Sequence, residues 1–157
     1  MPTSAAILIV VSARFLTDDS CELVDIDGEI TSWPSRAAWA EAWLNEWRRD
    51  EVGPACDFID DMTCKATEGV VTVLATLTEQ AAAVPDELDW VGAGPLEDLL
   101  SHSGNGGLVL DDVEHAALSR PDFAKALSAV WLGSKVDLAV KLRLVALGAR
   151  DLSAKPR

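Results

Sequence analysis

Trp39, Trp43 and Trp47 stand four residues apart in the segment 35–51, with Ala40 and Leu44 beside them. Wound as a helix, these five side chains fall on one face while Glu41, Arg48 and Arg49 fall on the other, so the segment is predicted to be an amphipathic helix. A buried indole removes roughly 150–250 Å² from water, and a stripe of three has to be covered by other elements. It is read as core rather than as a binding surface. The 157 residues, 49% of them apolar, can supply that cover within one domain of residues 1–152.

The punctuation of the chain supports a helical body over residues 35–148. Gly53-Pro54 ends the tryptophan helix, and a short helix follows over 55–64, with Phe58, Ile59 and Met62 on one side and Asp57, Asp60 and Asp61 on another. Thr67-Glu68 opens the next, carrying Val70, Val71, Val73, Leu74 and Leu77 to about residue 83, where Val84-Pro85 stops it. A short helix over 86–91 is interrupted by Gly92-Ala93-Gly94-Pro95. The helix is expected to restart there, with Gly94 near the cap, Pro95 in the first position and the Glu97 carboxylate reaching the exposed N–H groups. Ser101–Gly107 reads as a loop, 110–118 as a helix, and Pro121 opens another that reaches Gly133 through Phe123, Leu127, Val130 and Trp131.

Two segments carry β signals. Cys21–Ile26, Asp27-Gly28 and Glu29–Thr31 read as strand, type I′ turn and strand, after a β-rich run Ile7–Val11; the alternative for residues 1–31 is an extended arm. Val136, Leu138, Val140, Leu142 and Leu144 alternate with polar or small residues as in a half-buried strand, yet Leu138, Leu142 and Val145 form a helical stripe after a Ser134 cap. Helix is preferred; a strand would pair with the N-terminal hairpin. The fold class is therefore mainly α, a multi-helix domain with a small N-terminal β-hairpin, and α+β if 136–145 is a strand. Residues 153–157 form a short basic tail.

Charge is segregated. Residues 1–119 hold 23 acids against 5 bases, net −18, and residues 120–157 hold 8 bases against 3 acids, net +5. From Ala66 to Ser119 there are ten acids and no Lys or Arg. A total of −13 disfavours nucleic acid and anionic membrane as partners, because neutralising phosphate needs a basic surface. One reading of the acids is solubility and helix-dipole matching; the other is a face that meets a cationic protein. The acids of that face would be Asp57, Asp60, Asp61, Asp86, Glu87, Asp89, Glu97, Asp98, Asp111, Asp112 and Glu114.

Motifs of chemistry are sparse. The G-x-G at residues 92–94 lacks the preceding strand and third glycine of a dinucleotide turn, and Gly104–Gly107 lacks the Lys-Ser/Thr of a phosphate loop. Asp57, Asp60 and Asp61 share a helix face but have no histidine partner, so they are read as solvated, with no metal or cofactor expected. Cys21, Cys56 and Cys64 show neither zinc spacing nor an even count, which fits a reducing cytoplasm. No apolar run approaches the ~20 residues of a membrane span, and no basic region precedes Ala5–Val11 as in a secretory signal. His102 and His115 each follow an aspartate by four residues, Asp98 and Asp111, which suggests a two-histidine, two-carboxylate site.

One stretch resembles a known family. Ala93-Gly94-Pro95-Leu96-Glu97-Asp98-Leu99-Leu100, then Val113-Glu114 with Ala116, then Pro121, Phe123, Leu127, Val130 and Trp131, is similar to a family of small bacterial proteins termed domain of unknown function 6869. The similarity spans roughly residues 37–132 and implies a mostly helical domain, with no activity, cofactor or catalytic residue attached.

The expectation for function is a non-enzymatic, cytoplasmic, acidic domain that binds a basic protein, as immunity-type proteins neutralise cationic toxins. The alternatives are a small-molecule or metal-dependent activity around Glu97, Asp98, His102 and His115, and a scaffold subunit that shows its tryptophan helix to a larger assembly.

Overall fold

The computed structural model describes residues 12–16 and 18–154. The run Ile7–Val11 and the end of the basic tail, residues 155–157, lie outside the described residues. The N-terminal element is a three-stranded antiparallel meander of β1 (Ser12–Phe15), β2 (Cys21–Val24) and β3 (Ile30–Trp33) rather than one hairpin. Its second turn is not type I′: Gly28 alone has positive φ (82°), and its N–H donates to the Asp25 carbonyl at 3.0 Å. That is a type I turn closed by a glycine bulge, with the Asp25 carboxylate accepting the N–H groups of Asp27 and Glu29, both at 2.9 Å.

The body is helical: α1 (Arg36–Arg48), α2 (Pro54–Lys65), α3 (Val70–Ala81), α4 (Pro85–Val91), α5 (Gly106–Ser119), α6 (Pro121–Leu127) and α7 (Leu138–Ala146). Ser35 caps α1, its hydroxyl accepting from the Ala38 N–H at 3.1 Å. Trp39 and Trp43 are fully buried as expected, and the Trp39 indole N–H donates to the Ala55 carbonyl at 3.0 Å. Trp39 lies against Phe58, which lies against Trp33 of β3, so one aromatic chain joins α1, α2 and the sheet. The third indole of the stripe departs from the core: Trp47 is 41% exposed and stacks on Trp90.

The start of α2 has no cap of its own, and α1 supplies one. The Glu46 carboxylate accepts the N–H groups of Gly53, Ala55 and Cys56 at 2.9–3.0 Å, placing an anion where the helix dipole favours it. The next helix begins three residues later than Thr67, because Gly69 takes the left-handed conformation (φ 86°) before Val70.

At the Gly-Pro break two helical stretches meet across a kink, as expected: Gly94 alone leaves helical geometry (φ −101°, ψ −106°) just before Pro95, and the turns over Gly92–Leu96 and Asp98–His102 are wide and π-type. Pro95 has no N–H to give, and a wider turn spares its ring the clash with an earlier carbonyl. Gly92 is required by packing, since a Cβ there would sit 2.0 Å from the Ala126 carbonyl oxygen of α6. Glu97 does not cap its own helix. Its carboxylate accepts the Trp131 N–H at 2.6 Å, and Ser101 Oγ accepts the Gly133 N–H at 2.8 Å, so the wide turns grip the segment after α6.

That grip accounts for the shorter α6. The chain leaves the helix at Leu127, and Trp131–Leu132 (β4) pairs in parallel with Arg150–Asp151 (β5). The loop before α5 is also shorter than expected, the helix starting at Gly106. Segment 136–145 is helical from Leu138, in α7, and not a strand, but Asp137 rather than Ser134 caps it. Its expected buried stripe faces outward: Leu138 is 68% and Leu142 63% exposed, and Leu144 is buried instead. A single turn over Leu152–Ala154 follows β5. The buried residues form one continuous core from Ala13 to Ala149. Among the described residues no helix is long and apolar enough to cross a membrane.

Two variants test this packing. Trp39→Ala should cost about 3–5 kcal/mol in urea unfolding, through a large core cavity and the lost bond to Ala55. Gly92→Ala should cost about 1–3 kcal/mol or more by overpacking against α6, whereas Gly107→Ala, whose Cβ would meet only Val140 at an ordinary 3.5 Å, should give up less of the unfolding free energy.

Candidate functional site

The residue spacing of α2 sends Phe58, Ile59 and Met62 into the core and leaves Asp57 and Asp60 exposed. The wide turns after α4 project Asp98, His102 and Ser103 toward the same end of α2. Asp60, Thr63, Cys64, Asp98, His102 and Ser103 line a cleft of about 330 Å³. A second depression of about 530 Å³ shares Asp60 and Cys64 and extends beneath the β2–β3 turn, lined also by Leu23, Asp25, Ile26, Asp57 and Asp61. Together they form an acidic cleft along one side of α2.

Electrostatics within the cleft are unbalanced. Burial pushes the Asp60 carboxyl above its ordinary value, and the negative charges of Asp98 and Asp57 push it further. No ion pair to Asp60 or Asp57 occurs among the described residues. At the far side Nδ1 of His102 lies 2.8 Å from an Asp98 oxygen, and its Nε2 lies 3.7 Å from a Glu97 oxygen. The expected Asp98 and His102 pair is therefore formed.

The Cys56 thiol hydrogen-bonds Asp60 at 3.8 Å and is pushed up to about 12 by burial and by the charges of Asp60, Glu46 and Asp57. Held protonated at neutral pH, it is a poor nucleophile. Among the described residues no group of three His, Cys, Asp or Glu side chains is arranged to hold a metal ion.

Other acids expected on the face serve different purposes. Asp61 is not solvated: its carboxylate accepts the Ala13 N–H of β1 at 2.8 Å and pairs with Lys65 at 2.6 Å. Glu87 is buried and takes both Nε and Nη2 of Arg48, at 2.6 and 3.0 Å, joining α4 to α1. Glu97 is turned inward on Trp131. Asp111 and Glu114 pair with Arg143 of α7, so the basic C-terminal segment folds back on part of the acidic region. Arg143 also displaces His115 as the neighbour of Asp111. His115 lines a separate groove with Asp112, Glu68 and Arg120, and the four-residue site around Glu97, Asp98, His102 and His115 is not assembled. Asp86 and Asp89 are exposed on α4, outside the cleft. Asp25, which spacing did not single out, joins the cleft through the tertiary fold.

The raised Asp60 carboxyl predicts a pH dependence. Its contribution to stability is full below the ordinary value of 3.8 and is lost as pH rises through the elevated value, because the folded state holds the proton longer. Asp60→Asn should therefore melt at a higher temperature than wild type at pH 7, and the advantage should vanish near pH 3. An equal shift at both pH values would refute the electrostatic cause.

Comparison with curated proteins and with solved structures gives no match. A family model does match, and it takes in the segment 136–151 as well as the stretch that carried the resemblance, leaving the three-stranded sheet outside. The match runs over residues 35–151, and the chain belongs to DUF6869, a family of unknown function.

Proposed function

We propose that this chain is a non-enzymatic binding domain whose acidic cleft receives a basic segment of a partner protein. The observation that carries the reading is the cleft that gathers Asp57, Asp60 and Asp98 along one side of α2, with no ion pair to Asp57 or Asp60 among the described residues. A lysine or arginine entering the cleft relieves their mutual repulsion and gains charge-assisted hydrogen bonds. In this reading the partner face is Asp25, Asp57, Asp60 and Asp98, the acids that line the cleft, while Glu87, Glu97, Asp111 and Glu114 join elements elsewhere in the fold and Asp61 is tied to Ala13 and Lys65. A net charge of −13 argues against nucleic acid and anionic lipid as the partner. An immunity-type role, in which an acidic protein covers a cationic toxin in the cytoplasm, is the specific form this reading favours by analogy. A scaffold role finds its support elsewhere, in the exposed Trp47 stacked on Trp90.

The test is titration of the chain with a short lysine-rich peptide at low and at physiological salt. Binding should weaken steeply with salt, as screening shortens to about 8 Å near 0.15 M. The combined Asp57→Asn, Asp60→Asn and Asp98→Asn variant should lose at least about tenfold in affinity, in line with desolvated charge pairs at interfaces. Binding that ignores salt, or that survives the triple variant intact, would sink the proposal.

A further inference from the structure

The three-stranded sheet has two edges, and the fold treats them differently. In an antiparallel meander, successive residues of an edge strand point their N–H and C=O groups alternately toward the neighbouring strand and away from it. On β1 Ala13 and Phe15 face outward, opposite Leu23 and Cys21 of β2. The Ala13 N–H is taken by the Asp61 carboxylate at 2.8 Å, so a side chain of α2 occupies that edge at its middle. On β3 the bond from the Asp25 N–H to the Glu29 carbonyl sets the alternation. Thr31 and Trp33 face β2, and Ile30 and Ser32 point their backbone groups outward.

Nothing among the described residues covers this second edge. Ile30 is 64% exposed, Ser32 is exposed, and neither residue's outward N–H has a partner. The strand holds no lysine and no proline of the kind that blunts an edge, and Pro34 only follows it. The charge around it has one sign. Residues 16–35 contain six acids and no Lys or Arg, and Asp25, Asp27 and Glu29 lie in the turn that feeds β3. Arg14 of β1 is engaged with Glu22, and Arg36 with Asp19.

We infer that the outer edge of β3 takes an extended, lysine- or arginine-bearing segment of a partner as a fourth antiparallel or parallel strand. Main-chain bonds at Ile30 and Ser32 give the pairing. The acids of the turn and of the adjoining depression under it, Asp25 and Asp57, select a basic sequence and disfavour a second copy of this acidic chain. The inference rests on the proposed basic partner and adds how that partner is held. It also assigns a role to the sheet, which lies outside the residues matched by the family model.

The experiment uses the full chain and two peptides of the same alternating lysine and valine sequence, one ordinary and one N-methylated at every residue. The charge is equal, but the second has no N–H groups with which to pair. The ordinary peptide should slow amide exchange at Ile30 and Ser32 and bind at least about tenfold more tightly than the methylated one, as expected when main-chain bonding supplies the affinity. Ser32→Pro, checked for an unchanged far-ultraviolet spectrum, should reproduce the loss without altering charge. Equal binding of the two peptides would overturn strand addition and leave the acidic cleft standing. Failure of both to bind at low salt would overturn both readings. A salt-independent dimer that protects the same two amides without peptide would replace the basic segment by a second copy and refute the inference.

Discussion

The Trp39 side chain holds the arrangement on which the rest of the molecule depends. Its ring fills the space between α1 and α2, its indole N–H satisfies the Ala55 carbonyl in the first turn of α2, and its neighbour Phe58 carries the contact on to Trp33 of the sheet. Removing a fully buried indole leaves a large void and breaks the hydrogen bond that ties α1 to the first turn of α2. Glu46 works in parallel by neutralising the uncapped start of α2 from the same helix. Helix α2 is thereby fixed in height and rotation, and with it the outward direction of Asp57 and Asp60. The acidic cleft is a consequence of this core packing.

The charge pattern follows a division that the net charge conceals. Where acids face a cation across the fold, as Glu87 faces Arg48 and as Asp111 and Glu114 face Arg143, they join elements together. The exposed pairs among these contribute little stability, on the order of 0–1 kcal/mol each, but the inward Glu87 cannot lose its partner without burying an unpaired charge. Where acids face one another, at Asp57, Asp60 and Asp98, repulsion remains in the folded state. Interfaces for oppositely charged partners retain uncompensated charge in this way, because complementarity speeds encounter and excludes wrong partners.

The segment 92–102 shows how a local defect becomes a tertiary joint. A proline and two glycines within five residues exclude an ordinary α-helix, and the wide turns that result bring Glu97 and Ser101 against the strand at Trp131. Asp98 and His102, on the same turns, are left facing α2. One irregular stretch thus braces the C-terminal elements on one side and walls the cleft on the other, consistent with the tendency of π-type turns to occur at functional positions.

The sequence by itself determined the helical class, the tryptophan helix, the breaks at proline and glycine, the membership of segment 93–131 in its family, and the pairing of Asp98 with His102. All of these depend on residues within a few positions of one another, where periodicity and capping act. Tertiary structure alone decided which carboxylates remain open. Asp61 and Glu97 are drawn to backbone N–H groups 48 and 34 residues away, Asp111 is taken by Arg143 rather than His115, and Asp25 enters the cleft across the sheet. It also turned Leu138 and Leu142 outward, since α7 meets the body through Leu144 and through Val140 over Gly106 and Gly107. A hydrophobic stripe fixes that a helix has two faces; which face is buried depends on the shape it meets, and that shape is assembled from distant parts of the chain.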